Sequence, residues 1–173
     1  MHVAVLGPLE LRVDGRVVTV AAPKQRAVLA ALVAADGFPV AAERLIEELW
    51  PTDPPATASA ALQVHVSGLR KVIGARLPTV PAGYLLDAPS DARVFAAAVA
   101  HARRQHATDP RGAADRLAEA LAAWRSPAFD GVPAGPAVRA AAIRLEHLRV
   151  AGLEDWAESE TGRARARRGR PGT

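Results

Sequence analysis

The stretch PPATASAALQVHVSGLRKVIG, residues 54–74, decides the fold. It predicts a helix, with Pro55 tolerated in the first turn and Gly74 as a C-terminal stop. At about 100° per residue, Leu62, Val66, Leu69 and Ile73 fall within about 60° of one another and form a core stripe. The opposite arc holds Ala60, Val64, Ser67, Gly68 and Lys71, with Gln63 and Arg70 on one flank and His65 on the other. That arc is small, polar and modestly basic, without the several Glu and Lys that would merely solvate a helix. Val64 discriminates best, because an apolar residue on an exposed arc needs a reason to be there. Directly downstream, LPTVPAGYLL (residues 77–86) has two short apolar runs around Pro81-Ala82-Gly83 and predicts a hairpin.

Working outward toward the N-terminus, Ala41 to Trp50 carries Leu45, Ile46, Leu49 and Trp50 at a helical period and stops at Pro51. Before it, Pro23 opens a helix in which Val28, Leu29, Leu32 and Val33 recur at helical spacing until Asp36-Gly37. Three short strands come first: Val3 to Gly7, Leu9 to Val13 and Val17 to Val20, with Asp14-Gly15 as a hairpin turn. The order is therefore sheet, three helices, hairpin. A helix pair followed by a β-hairpin is what a winged helix-turn-helix needs, one helix entering the major groove while the hairpin reaches the flanking backbone or minor groove.

Net charge is no part of this argument. The chain has a formal charge of +4, yet residues 1–90 hold eight Lys/Arg and eight Asp/Glu, residues 91–162 hold nine and ten, and the last eleven residues hold five Arg. There is no Cys, which excludes disulfides, thiolate zinc sites and cysteine nucleophiles. No stretch approaches the roughly 20 apolar residues that span a bilayer, and no basic-then-apolar leader opens the chain, so a cytoplasmic location and no membrane partner are expected. His101 and His106 diverge by about 140° on a predicted helix and make a poor metal pair. No catalytic constellation, P-loop or dinucleotide fingerprint is visible, so neither an enzyme nor a cofactor is expected.

The residues also carry a resemblance. VLGPLELRVDG, PKQRAVLAAL, RLIEELWP, PPATASAALQVHVSGLRKVIG and VPAGYLL resemble the OmpR/PhoB-type winged helix of the antibiotic regulatory protein family of actinomycete transcriptional regulators. FAAAVAHAR, RLAEALAAWRSPAFDGV and RLEHLRVAGLED resemble the start of the helical bacterial transcriptional activator domain that follows in that family. The resemblance implies binding to direct repeats in double-stranded DNA upstream of biosynthetic genes and activation by contact with RNA polymerase; residues 91–160 are expected to serve that contact or a homo-oligomer. On the matching positions, Val64 suits a thymine methyl, Gln63 and Ser67 suit base edges or phosphates, and Arg70 and Lys71 suit phosphates, although both also fit a solvated helix end favoured by the macrodipole. Thr57 is placed to offer its hydroxyl and backbone N–H to a phosphate. The resemblance places Trp50 near the DNA backbone, but Trp50 and Tyr84 read more readily as core anchors. Two positions depart from the pattern: the helix position often held by a base-contacting Arg is Gly68, and a wing position often held by Arg is Val80.

The expected architecture is an α+β winged helix-turn-helix over residues 1–90, then an all-α, tetratricopeptide-like segment over 91–160. Its helices span Asp91 to Ala107, Gly112 to Trp124 and Pro136 to about Ser159, with Val138, Ala141, Leu145, Leu148, Gly152 and Trp156 on one stripe of the third. Family members continue for several more helices, so an early stop is expected. Residues 161–173, rich in Arg and interrupted by Gly and Pro, read as a disordered basic tail. It is either a nonspecific phosphate-binding arm or out-of-frame translation of GC-rich DNA. A second functional reading stays open beside DNA-binding regulation: a truncated, non-activating interaction module or dominant-negative fragment that oligomerises through its helical segment.

Overall fold

The structure, a computed structural model, describes the backbone of residues 1–168 and the side chains of residues 1–161. Strands β1 (His2–Ala4), β2 (Glu10–Val13) and β3 (Arg16–Val18) form an antiparallel meander. Its second turn is the expected Asp14-Gly15 pair, with φ of 50° and 77° at the two residues. Two consecutive positive φ values are what a two-residue hairpin matching the sheet's twist requires. The first strand is shorter than the predicted Val3 to Gly7. Val5 and Leu6 instead give their N–H groups to the Asp91 carboxylate, at 2.7 and 3.1 Å, and their carbonyls to Phe129 N and Arg125 N, each at 2.8 Å. Backbone groups spent on the second segment leave nothing for a strand ladder.

Helices α1 (Pro23–Ala34), α2 (Ala42–Leu49) and α3 (Ala58–Ile73) follow. Pro55 lies outside α3, not in its first turn as predicted. Its carbonyl accepts from Ala58 N at 2.8 Å in a tight turn, and the first helical bond is Ala61 N to Thr57 O at 2.9 Å. Strands β4 (Thr79–Val80) and β5 (Gly83–Tyr84) then make the hairpin.

Helices α4 (Asp91–Gln105), α5 (Pro110–Ala122) and α6 (Pro136–Arg168) complete the described chain. Ser90 Oγ accepts from Arg93 N at 3.2 Å and Asp109 Oδ1 from Gly112 N at 2.9 Å, so α4 and α5 each start on a side-chain cap. The third helix runs past its expected end near Ser159 and through much of the segment read as disordered, to Arg168; residues 169–173 lie outside the described residues. Ala and Arg are strong helix formers, and the Gly and Pro interruptions are concentrated at 169–172, so local preference favours continuation up to that point.

One apolar cluster passes through both segments. It joins Val3, Leu11, Leu29, Leu62 and Leu69 to Phe95, Val99, Leu117, Trp124 and Val138. Phe95 and Trp124 meet edge to face at 5.4 Å. Beside the backbone bonds across the same junction, two carboxylates supply polar ties. Asp91 takes the Val5 and Leu6 amides, and buried Glu48 at the end of α2 accepts from Ala137 N and, at 3.4 Å, Val138 N in the first turn of α6. A buried carboxylate facing a helix N-terminus has its charge and its lone pairs met by the same orphan amides. Among the described residues no helix is long and apolar enough to cross a membrane.

Candidate nucleic-acid interface

Helix α3 buries the predicted stripe, Leu62, Val66, Leu69 and Ile73, and adds Ala58 to it. Burial of that stripe turns Ser59, Ala60, Gln63, Val64, Ser67 and Lys71 to the outside, and Thr57 at the helix start is exposed as well. Val64 is 68% exposed, an apolar side chain held outward among small and polar neighbours. Of the residues nominated from sequence, Thr57, Gln63, Val64, Ser67 and Lys71 therefore share one open surface.

Three positions fall elsewhere. Gly68 is half-buried against α1 rather than on the outward arc, and a Cβ there would stand 2.2 Å from Gln25 Nε2. A long side chain at 68 has to push Gln25 aside before it reaches solvent. Trp50, the residue after α2, is half-buried; Lys24 Nζ lies 4.8 Å over its ring and donates to Leu49 O, and the His65 ring is 6.4 Å away. Trp50 thus packs between α1 and α3, as an anchor of the turn that leads into α3. Arg70 turns to the hairpin: Nε donates to Leu77 O at 2.9 Å and Nη2 to Thr79 Oγ1 at 2.7 Å.

The hairpin has a partner that sequence reasoning missed. Val40, in the loop after α1, pairs with Tyr84 through Val40 N to Tyr84 O at 2.8 Å and Tyr84 N to Val40 O at 2.9 Å. That approach depends on Gly83, whose φ is 125° and where a Cβ would lie 2.1 Å from Val40 O. Tyr84 is half-buried at this seam, in keeping with an anchor, and Val80 is half-buried on the opposite strand, while Pro81 and Ala82 form the exposed tip.

Lys24 was also missed. A cation in the first turn of a helix opposes the macrodipole and so asks for a compensating role, which was the available signal. Beside it, the His65 imidazole is pushed below its ordinary pKa, first by burial and then by the neighbouring Lys24 charge. Among the described residues no group of three or more His, Asp or Glu is placed to hold a metal ion, and His106 Nδ1 lies 3.4 Å from Ser159 Oγ.

A helix with an open face of small and polar residues, flanked by a short hairpin and supported by two helices and a meander, defines a winged-helix module continued by an all-α segment. Residues 15–86 match the family described as "Transcriptional regulatory protein, C terminal", and residues 90–170 match "Bacterial transcriptional activator domain". The chain belongs to the antibiotic regulatory protein family of actinomycete transcriptional regulators, which joins these two domains. It is 35% identical over 172 residues to transcriptional regulatory protein EmbR of Mycobacterium tuberculosis, covering 93% of this chain and 44% of EmbR. To regulatory protein DnrI of Streptomyces peucetius it is 33% identical, covering 92% of this chain and 65% of DnrI. The structure of EmbR from Mycobacterium tuberculosis, in complex with a low affinity phosphopeptide, superposes with a TM-score of 0.87 at 34% identity, over 95% of this chain and 46% of that one. The chain thus spans less than half the length of EmbR.

Proposed function

We propose that this chain is a sequence-specific double-stranded DNA-binding regulator that acts in the cytoplasm on direct repeats in the promoter of a biosynthetic gene cluster. The observation that carries it is the outward face of α3, where Thr57, Gln63, Val64, Ser67 and Lys71 stand open beside the hairpin. In the major groove Gln63 and Ser67 bond base edges, Val64 packs on a thymine methyl, and Lys71 and Thr57 meet phosphates. With few cations on this surface, affinity rests on a small number of phosphate contacts and is moderate at physiological salt. Helices α4 to α6 serve activation, through RNA polymerase or through further copies of the chain. A footprint on the neighbouring promoter tests the reading: protected repeats at moderate salt support it, and no protected repeat refutes it.

A second reading has one observation of its own. Ile143, Val150 and Leu153 on α6 are 58%, 52% and 43% exposed, an apolar face suited to self-association without activation. Light scattering separates the two, since this reading requires association that is independent of DNA.

A further inference from the structure

We propose that Arg70 is the positioning residue that sets the wing against the recognition helix, in place of a phosphate contact; the role rests on the DNA-binding reading above. One guanidinium reaches three parts of the hairpin. It donates from Nε to Leu77 O at 2.9 Å and from Nη2 to Thr79 Oγ1 at 2.7 Å, and it lies 5.8 Å over the Tyr84 ring. Leu77 precedes β4, Thr79 lies on β4 and Tyr84 lies on β5, so a single side chain from the last turn of α3 holds both strands.

The hairpin needs such a tie. Its strands pair through Thr79 with Tyr84 and Val80 with Gly83, extended at the base by Leu85 N to Pro78 O at 3.1 Å and Asp87 N to Arg76 O at 2.8 Å, and a two-stranded hairpin of any length is marginal in water. Val40 holds β5 by backbone bonds from the α1 side, while Arg70 holds the hairpin by a side chain from α3. The chemistry is specific to Arg. Its planar fork presents donors at fixed angles to two acceptors and stacks on an aromatic face, whereas a Lys ammonium is one point charge on a flexible stem. With α3 in the major groove, the angle between α3 and the hairpin decides where the hairpin meets the flanking backbone. Arg70 therefore sets the spacing between the two contact zones, and Lys71, the next residue, carries the outward charge.

The test uses the full chain in two arms. The first is amide hydrogen exchange without DNA. Arg70→Ala and Arg70→Lys are both expected to speed exchange at the Tyr84 and Leu85 amides by about tenfold or more, with the core amides of α4 unchanged. Thr79→Val, which leaves every charge in place, is expected to give a smaller rise at the same amides. The second arm is binding, over a range of salt, to a duplex that the wild-type chain recovers from a randomised pool. Arg70→Ala and Arg70→Lys are expected to lose protection on the hairpin side of the footprint with the salt slope unchanged. Wild-type exchange in Arg70→Lys overturns the proposal. So does a fall of about 0.9 in the Arg70→Ala salt slope, which is the mark of one lost phosphate contact. If the wild-type chain retains no duplex at all, the DNA-binding reading fails, and the exchange arm alone decides the role of Arg70.

Discussion

Replacing Glu48 by Ala removes one of the acceptors that tie the winged helix to the helical segment, and the structure sets the size of the effect. The carboxylate is 6% exposed and accepts from Ala137 N and, more weakly at 3.4 Å, from Val138 N. A hydrogen bond to a charged group contributes about 1.5–3 kcal/mol, and an anion at a helix N-terminus adds about 0.3–1 kcal/mol. The long second bond is counted at the low end, and water entering the space vacated at α6 offsets part of the loss, so Glu48→Ala is expected to cost about 2–4 kcal/mol. Glu48→Gln keeps one carbonyl oxygen for the stronger bond and is expected to cost roughly half of that. For a chain of this length such a loss corresponds to a fall in melting temperature of roughly 5–15 °C. Urea denaturation of the full chain measures it directly. Because one core passes through both segments, wild type and variant should each unfold in a single transition. A Glu48→Ala variant within about 0.5 kcal/mol of wild type, the range of an ordinary surface substitution, would refute the account of Glu48 as the cap of α6.

Other substitutions separate stability from DNA contact. Gly83→Ala forces a Cβ against the Val40 carbonyl at a φ unsuited to Ala, and thermal melting should show a loss of about 1–3 kcal/mol or more. Lys71→Ala should leave melting within about 0.5 kcal/mol of wild type while reducing the salt slope of duplex binding by about 0.9. Val64→Asp should likewise keep the fold, since the side chain is 68% exposed, and should abolish retention of duplexes at moderate salt. For His65, the folded state holds the imidazole below its ordinary pKa, so the unfolded chain binds more protons in the acid range. Stability should therefore rise with pH through the window that ends near about 6.5 and be lost as pH falls through it. A His65→Gln variant that retains the full slope in urea titrations at several pH values would contradict this.

Periodicity and turn chemistry carried most of the fold. The stripe from Leu62 to Ile73 dictates which face of α3 is buried, and therefore which face is open, before any tertiary contact is known. Asp14-Gly15 and the Pro81-Ala82-Gly83 tip mark hairpins for equally local reasons, because only certain residues accept those backbone angles. What a one-dimensional pattern does not contain is the neighbour of a flank. Gly68 lies at the edge of the outward arc, and only α1, with Gln25 across from it, makes that edge an interior one. Arg70 carries the same charge as a phosphate ligand would, and it is the fold of the hairpin back along α3 that brings Leu77, Thr79 and Tyr84 within its reach. Asp91 and Glu48 look like ordinary helix-end acids in the sequence; packing the second segment on the first turns them into acceptors for amides about 90 residues away. Residue order thus settled the elements and the open face of α3. Long-range packing settled which polar side chains remain free for a ligand, because a hydrogen-bond partner distant in sequence leaves no local signature.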